Sequence, residues 1–328
     1  MVLNLTPEYH EAERRYRQAR STQEKVAALE DMLRAIPKHK SSEKKQSDLK
    51  RRIKELKEEG QKAKKGGATV DPYHIPPQGG GQVLLFGPPN SGKSSILAHL
   101  SKAPVKVTDF PFGTHQPVPG MAYHEDAPIQ LVDLPPVTPE HFPGNMLNAV
   151  RNADAILIVV DLSASSVLED IDTCLNLLAE RGVHLQPDPE ADDEEMDVGP
   201  DGLVICNKAD LPGAADNLDV LKELRPPKPE MIPVSAATGE GLDVMMEKLF
   251  RKLQVIRVYS KYPGKPADKE KPFVLPVGST VEELARSIHK DLAEKLKFAR
   301  VWGEHVHDGQ QVHGTHALYD RDVVEIHE

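Results

Sequence analysis

Gly87-Pro88-Pro89-Asn90-Ser91-Gly92-Lys93-Ser94 follows the apolar run Val83–Phe86 and leads into the helical pattern Lys93–Leu100. The spacing is GxxxxGK[ST], a loop whose glycines let backbone N–H groups curl around phosphate oxygens. Lys93 is placed to reach β and γ phosphates, and the Ser94 hydroxyl to ligate Mg²⁺. Asn90, Ser91, Gly92 and Ser95 complete this nucleotide-binding stretch.

Outward from this loop, short apolar runs alternate with helical patterns: Ile129–Val132, Ala155–Val160, Leu203–Cys206 and Met231–Val234. Continuous apolar runs bounded by turn residues suit parallel strands buried on both faces, and strands alternating with helices imply a doubly wound, mostly parallel α/β sheet. The second run ends at Asp133, the position for a carboxylate that holds a Mg²⁺ shell through water. Leu203–Cys206 runs into Asn207-Lys208-Ala209-Asp210. This NKxD pattern fits guanine, because a carboxylate at Asp210 accepts from the ring N1–H and the 2-amino group. Adenine offers the wrong donors there, so the carboxylate would go unpaired. Ser235-Ala236-Ala237, after the last run, closes the base pocket, with the Ala236 N–H aimed at guanine O6.

The chain has 328 residues, 39% hydrophobic and 28% charged, which is globular in composition and long enough for two or three domains. Its net charge of −10 excludes a uniformly basic nucleic-acid binder. The charge is unevenly spread: residues 1–70 carry 18 Lys/Arg against 11 Asp/Glu, and residues 71–255 carry 12 against 28. A basic head on an acidic body signals a partner. The head reads as two helices, Leu5–Leu33 and Ser42 to about Lys64, the second with an apolar stripe of Leu49, Ile53 and Leu56 suited to packing on something else. Within 34–65 there are 13 basic and 5 acidic residues, an RNA- or ribosome-contacting density. The Gly/Pro-rich stretch 71–81 reads as a linker, and 186–202, with eight acidic and no basic residues, as a solvated acidic loop. Cys174 and Cys206 sit in apolar runs and read as buried reduced thiols. No apolar run is long enough to span a bilayer, so the expectation is a soluble, cytoplasmic protein with no membrane partner.

The order of motifs resembles the Ras-like GTPase superfamily, and within it the Obg-type branch, most closely the developmentally regulated GTP-binding (DRG) family and its prokaryotic relatives. The carrying residues are Gly87–Ser95, Pro111-Phe112-Gly113-Thr114, Val132-Asp133-Leu134-Pro135, Asn152-Ala153-Asp154, Glu180-Arg181-Gly182-Val183 and the basic stretch from Pro37 to Arg51. The resemblance implies that Thr114 is the switch threonine binding Mg²⁺ beside the γ-phosphate, with Thr108 as the alternative. It also makes Asn90 similar to an asparagine that coordinates potassium in GTPases lacking a water-orienting glutamine, whose usual position holds Val137 here. The alternative is that Asn90 caps the loop turn. The catalytic set so implied is Lys93, Thr114 and Asn90, and the metal set Ser94, Thr114 and Asp133. One departure stands out: the family's second switch motif ends in glycine, whose N–H bonds a γ-phosphate oxygen, and here the residue is Pro136. Proline has no N–H to give, unless the neighbouring Val137 N–H takes over.

Residues 256–328 resemble the TGS domain, a ubiquitin-like α+β fold. The expected strands are Pro272–Pro276, Ala299–Trp302 and Asp322–Ile326, and the expected helices Thr280–Ile288 and Asp291–Lys295. Where the family has Asp-Gly-Asp, this chain has Asp320-Arg321-Asp322, a turn expected to survive if its backbone avoids positive φ. His305, His307, His313 and His316 are spaced too loosely for a zinc site and read as surface or turn histidines. The expected organisation is therefore a basic helical hairpin (1–70), a linker (71–81), a GTPase domain (82–255) and a TGS domain (256–328). The expected function is a slow GTPase switch docking on the ribosome or structured RNA, with a protein cofactor as a further partner. The alternative is a low-turnover guanine-nucleotide-dependent adaptor acting through a protein partner.

Overall fold

The computed structural model describes residues 7–19, 22–36, 43–65, 71–101, 116–185, 200–225, 229–269 and 271–328. Thr108, Thr114 and residues 186–199 lie outside them, as does Ser42.

The head holds three helices rather than two: α1 (Pro7–Gln18), α2 (Thr22–Ala35) and α3 (Glu43–Lys65). The sequence Ser21-Thr22-Gln23-Glu24 has the S-x-x-E signature of a helix start, which explains why the long polar stretch divides. Tyr9, Ala12, Leu29, Met32 and Ile36 meet the stripe Leu49, Ile53 and Leu56 in one small core. Two cations of the head then reach the central domain. Lys25 Nζ donates to Asn152 O at 3.1 Å, and Arg52 Nη2 donates to Arg151 O.

Among the described residues the strands form two sheets. The first has the order β2-β3-β1-β4-β5-β6. Its strands are β1 (Gln82–Phe86), β2 (Val118–His124), β3 (Ala127–Asp133), β4 (Ala155–Asp161), β5 (Asp201–Asn207) and β6 (Met231–Pro233). All neighbours are parallel except β2, which runs antiparallel to β3 at the edge. Alternation along the buried strands divides the core. Leu84, Phe86, Ile156, Ile158 and Val204 face α5 (Gly144–Asn152) and α6 (Val167–Glu180), and α7 (Ala214–Leu224) packs on the same side. Val83, Leu85, Leu157, Val159 and Ile205 face α4 (Lys93–Leu100) and α8 (Leu242–Lys252). With both faces covered, every functional side chain comes from the strand ends or the loops beyond them. Cys174 and Cys206 are both buried within the first of these cores, and burial pushes their thiols up to about 12.

The segment read as acidic loop ends earlier than its composition suggests. Asp201 and Gly202 are strand residues, in register with Ala155 and Ile156 of β4. Gly202 lies against Leu185, where an added Cβ would meet a side-chain carbon at 2.4 Å. Part of the expected linker is also tied down, since Gly80 N–H donates to Pro128 O at 2.8 Å.

The second sheet has the order β10-β9-β11-β7-β8. It comprises β7 (Val255–Lys261), β8 (Phe273–Pro276), β9 (Phe298–Trp302), β10 (Gln310–Val312) and β11 (Asp322–His327), with α9 (Val281–Ile288) and α10 (Lys290–Lys295). β7 and β11 pair in parallel, and Ile256, Val258, Val301 and Val324 pack against Val281 and Leu284 of α9. Thr280 caps α9 in a reciprocal box with Glu283. The turn before β11 does need positive φ, since Arg321 adopts +69°. An arginine there costs about 1 kcal/mol relative to glycine, and the turn is held by the Arg321 N–H, which donates to Arg257 O at 2.7 Å. His305 packs its ring on Tyr319 at 4.1 Å between centroids. Among the described residues no helix is long and apolar enough to cross a membrane, and no group of three or more His, Cys, Asp or Glu is placed to hold a metal ion.

Candidate functional site

The phosphate-type loop leaves β1 at Gly87 and enters α4 at Lys93. Gly87 passes so close to β4 that a Cβ would sit 2.2 Å from Val159 O. Gly92, at φ +91°, passes the Asn207 amide, and a Cβ there would sit 2.0 Å from Nδ2. Both glycines are therefore required by close approach as well as by backbone conformation. Asn90 is exposed at the loop tip with φ +61°. Ser91 is buried and its Oγ donates to Pro88 O at 3.0 Å. Lys93 is buried under the arch, its Nζ donating to Gly87 O at 2.9 Å and Pro88 O at 2.8 Å. Burial pushes its pKa down to about 8, against a smaller upward pull from Asp133.

Asp133 ends β3 one strand away. Ser94 Oγ, in the first turn of α4 beside Ser95, donates to Asp133 Oδ2 at 2.5 Å. A hydroxyl and a carboxylate brought together here form a hard oxygen donor set of the kind Mg²⁺ takes. The chain then runs through Pro135 and Pro136 to Val137, which is buried and whose N–H donates to Gly87 O at 3.1 Å. That N–H is committed to the loop in this arrangement.

On the other side, Asn207 ends β5 fully buried. Its Nδ2 donates to Ser91 O at 2.9 Å, and its Oδ1 accepts from Ala236 N–H at 3.0 Å. The Ala236 N–H, expected to face a base, is thus held by Asn207. Ser235 Oγ donates to Asp210 Oδ1 at 2.6 Å and accepts from Thr238 N–H at 3.1 Å. Asp210 and Ala237 are exposed on the rim. Lys208, at φ +64°, donates to Asp161 Oδ2 at 2.6 Å. Asp161 escaped the sequence reading, although it ends the apolar run Ala155–Val160 as Asp133 ends its own. The His99 ring, 3.0 Å from Ala236 O through Nδ1, was also missed, since nothing in its helix marks it. Hydrogen bonds thus link Asn207 with Ser91 and Ala236, Ser94 with Asp133, and Ser235 with Asp210, whereas Asn90 and Ala237 are exposed and Thr114 lies outside the described residues.

The family described as 50S ribosome-binding GTPase matches residues 82–187, and the TGS domain family matches residues 256–328. An uncharacterized GTP-binding protein of Halobacterium salinarum is 30% identical, with 93% of this chain and 98% of that one covered. Developmentally-regulated GTP-binding protein 1 of Xenopus laevis is 28% identical over 92% of this chain and 98% of its own. The chain belongs to the developmentally regulated GTP-binding protein family. Among solved structures, the YchF GTPase of Schizosaccharomyces pombe shares the fold with a TM-score of 0.52 at 12% identity, covering 76% of this chain and 98% of that one. This DRG-family chain is accordingly a GTP-binding protein with a Ras-like nucleotide domain, a helical N-terminal region and a TGS domain.

A Lys93 placed against bound phosphates would make the nucleotide affinity of this DRG-family protein pH-dependent in a defined direction. Bound phosphates favour the charged ammonium, whereas burial without them leaves its pKa at about 8. Binding above that pH must therefore take up a proton, and GDP affinity is expected to fall by up to about tenfold per pH unit as pH rises from 8 toward 9. Calorimetry in two buffers of different ionisation enthalpy measures the uptake. Binding with no proton uptake at pH 9 would count against a charged Lys93 at the phosphates.

Proposed function

We propose that the protein hydrolyses GTP to GDP and phosphate as a molecular switch. The observation that carries the reading is the convergence at the strand ends. Lys93 and the Ser94–Asp133 pair lie at one end of the groove, and the Asn207–Asp210 and Ser235–Ala237 segments at the other, joined through the Asn207 amide. Lys93 would sit against the β and γ phosphates. Ser94 and Asp133, with Thr114 from the first switch, would hold Mg²⁺, which when bound neutralises charge on the β and γ oxygens. For guanine to be read, Ala236 N–H exchanges Asn207 Oδ1 for the base oxygen, and Asp210 takes the ring N1–H and the 2-amino group. The exposed Asn90 amide at the loop tip supports a potassium ion between the phosphates as a further aid to turnover.

Asp210→Asn tests the base. It is expected to weaken GTP by about 1.5–3 kcal/mol, or roughly ten- to a hundredfold, and to favour xanthosine triphosphate, whose 2-oxo group accepts from the new amide. Wild-type protein that binds ATP as tightly as GTP would defeat the assignment.

For a partner, the reading is the ribosome or structured RNA, in the cytoplasm. It is supported by the description of the matched GTPase family as ribosome-binding and by the exposed lysines Lys50 and Lys54 on α3. Lys50→Glu with Lys54→Glu should lower ribosome co-sedimentation and reduce its salt slope by about one unit per lost phosphate contact. An unchanged slope would remove α3 from the interface.

The second reading, a low-turnover adaptor working through a protein partner, is favoured by Val137, buried and bonded to Gly87 O where a water-orienting side chain would be needed. Ribosome-stimulated turnover measured in potassium and in sodium separates the two. Turnover that stays flat in both salts supports the adaptor, and turnover faster in potassium supports the ion at Asn90.

Pro136→Gly tests phosphate sensing. Restoring an N–H to the second switch should tighten GTP by about ten- to a hundredfold while leaving GDP nearly unchanged. An unchanged GTP-to-GDP ratio would show that γ-phosphate sensing has moved to another group.

A further inference from the structure

The loop expected to meet the base is held unevenly. Ser235 is tied on every side. Its N–H donates to Glu240 O at 2.8 Å, its carbonyl accepts from Gly239 N–H at 2.8 Å, and its Oγ joins Asp210 to Thr238. Ala236, the next residue, is held more lightly. Its N–H rests on Asn207 Oδ1 at 3.0 Å, and its carbonyl oxygen lies 3.0 Å from His99 Nδ1. Among the described residues no further hydrogen bond holds Ala236.

His99 stands in the last turn of α4, the helix that begins at Lys93. At 1.5 Å of rise per residue the two lie roughly 9 Å apart along the helix axis. One short helix therefore carries the phosphate-loop lysine at its start and a contact to the base loop near its end. A carbonyl oxygen has only lone pairs to offer, so Nδ1 is the nitrogen that bears the proton and donates. The other side of the ring lies against Gly239, where an added Cβ would sit 2.9 Å from Nε2. Gly239 also adopts φ +87°, so glycine there serves both the turn and the seat of the ring.

We propose that His99 is a positioning residue for guanine, fixing Ala236 while its N–H passes from Asn207 to the 6-oxo group of the base. The inference rests on the reading of Ala236 N–H as the donor to that oxygen. Once the N–H turns to the base, Asn207 Oδ1 no longer holds it. The peptide that carries the N–H is then fixed at its carbonyl end by Gly239, a single point about which it can still turn. The His99 contact on the far side of Ala236 supplies the second point. Hydrogen-bond strength falls steeply as the donor leaves the acceptor's line, and a donor aligned in advance needs less ordering when the ligand binds. Asp210 is braced by Ser235 Oγ and does not depend on His99. The two halves of base reading are thus separable: the 6-oxo contact runs through His99, and the contacts to the ring N1–H and 2-amino group do not.

The test compares GDP, 6-thio-GDP and inosine diphosphate on the full chain by titration calorimetry. The thio analogue weakens only the acceptor at position 6, and inosine lacks only the 2-amino group. His99 is exposed, so its replacement leaves the core intact, and water competing for the Ala236 carbonyl keeps the effect modest. His99→Leu, which cannot donate, is expected to weaken GDP by about two- to tenfold. The preference for GDP over 6-thio-GDP should fall by the same factor, while the preference for GDP over inosine diphosphate stays unchanged. His99→Asn, whose Nδ2 stands where Nδ1 stood, should restore the wild-type pattern. An equal loss for all three nucleotides in His99→Leu, no loss at all, or an Asn variant as poor as the Leu variant would overturn the positioning role. Wild-type protein that binds 6-thio-GDP as tightly as GDP would instead overturn the reading of Ala236 as the 6-oxo donor, and the role of His99 with it.

Discussion

The arrangement of the groove depends on one buried amide. Asn207 is buried, so each of its polar atoms needs a hydrogen-bond partner. It finds them in two different loops, Ser91 O on the phosphate side and Ala236 N–H on the base side. An unsatisfied buried amide costs on the order of 1–3 kcal/mol per lost partner, so the two loops are held in register. The same amide explains Gly92, because no side chain fits between the loop and Nδ2. The groove is therefore preorganised by groups that can be handed to a nucleotide when it arrives. Ala236 N–H and Lys93 Nζ rest on protein acceptors that a ligand's oxygens can replace, and Ser94 Oγ, while donating to Asp133, keeps its lone pairs for a cation.

What could be read in advance follows from how strongly each segment's chemistry constrains it. Parallel strands buried on both faces show as unbroken apolar runs, and β1, β3, β4, β5 and β6 were legible on that signal alone. β2 was not, because an edge strand with one neighbour tolerates Pro119 and Gly120, which read as loop. β7 was hidden differently: Arg257 and Lys261 interrupt its apolar pattern, and only the folded structure shows that carboxylates of other elements neutralise them. In the head, composition pointed to helix throughout but gave no weight to the start signal at Ser21. Within the site, residues fixed by spacing were legible. Asp161 and His99 were not, since their partners Lys208 and Ala236 are distant in sequence and meet them only through the sheet.

The two departures from the family pattern have different physical characters. Pro136 offers no backbone donor and the adjoining Val137 N–H rests on Gly87 O, so the change would act on ligand recognition. Arg321 replaces a glycine at a turn that still demands glycine's backbone, so it acts on strain. A turn that kept its geometry against a cost of about 1 kcal/mol must be over-determined by its surroundings. Here Arg321 N–H donates to Arg257 O at 2.7 Å, and Asp322 Oδ2 accepts from Tyr319 N–H at 2.9 Å, which fixes the loop whatever side chain stands at its apex.

The basic head must be divided the same way before its charge is assigned to a partner. Lys25 is half-buried, and desolvation lowers its pKa against the pull of Asp154. Its Nζ and the Arg52 guanidinium meet the last carbonyls of α5, where a helix's partial negative charge favours cations. Arg14 reaches Gly278 O beyond β8. These cations bind the head to the body and are lost to any phosphate backbone. Lys57 pairs with Glu30 inside the head. Part of the excess that first suggested RNA is therefore engaged within the chain, and exposed Lys50 on α3 supports that reading. Through Arg52, α3 is anchored on α5, the helix that follows Pro136 in the chain.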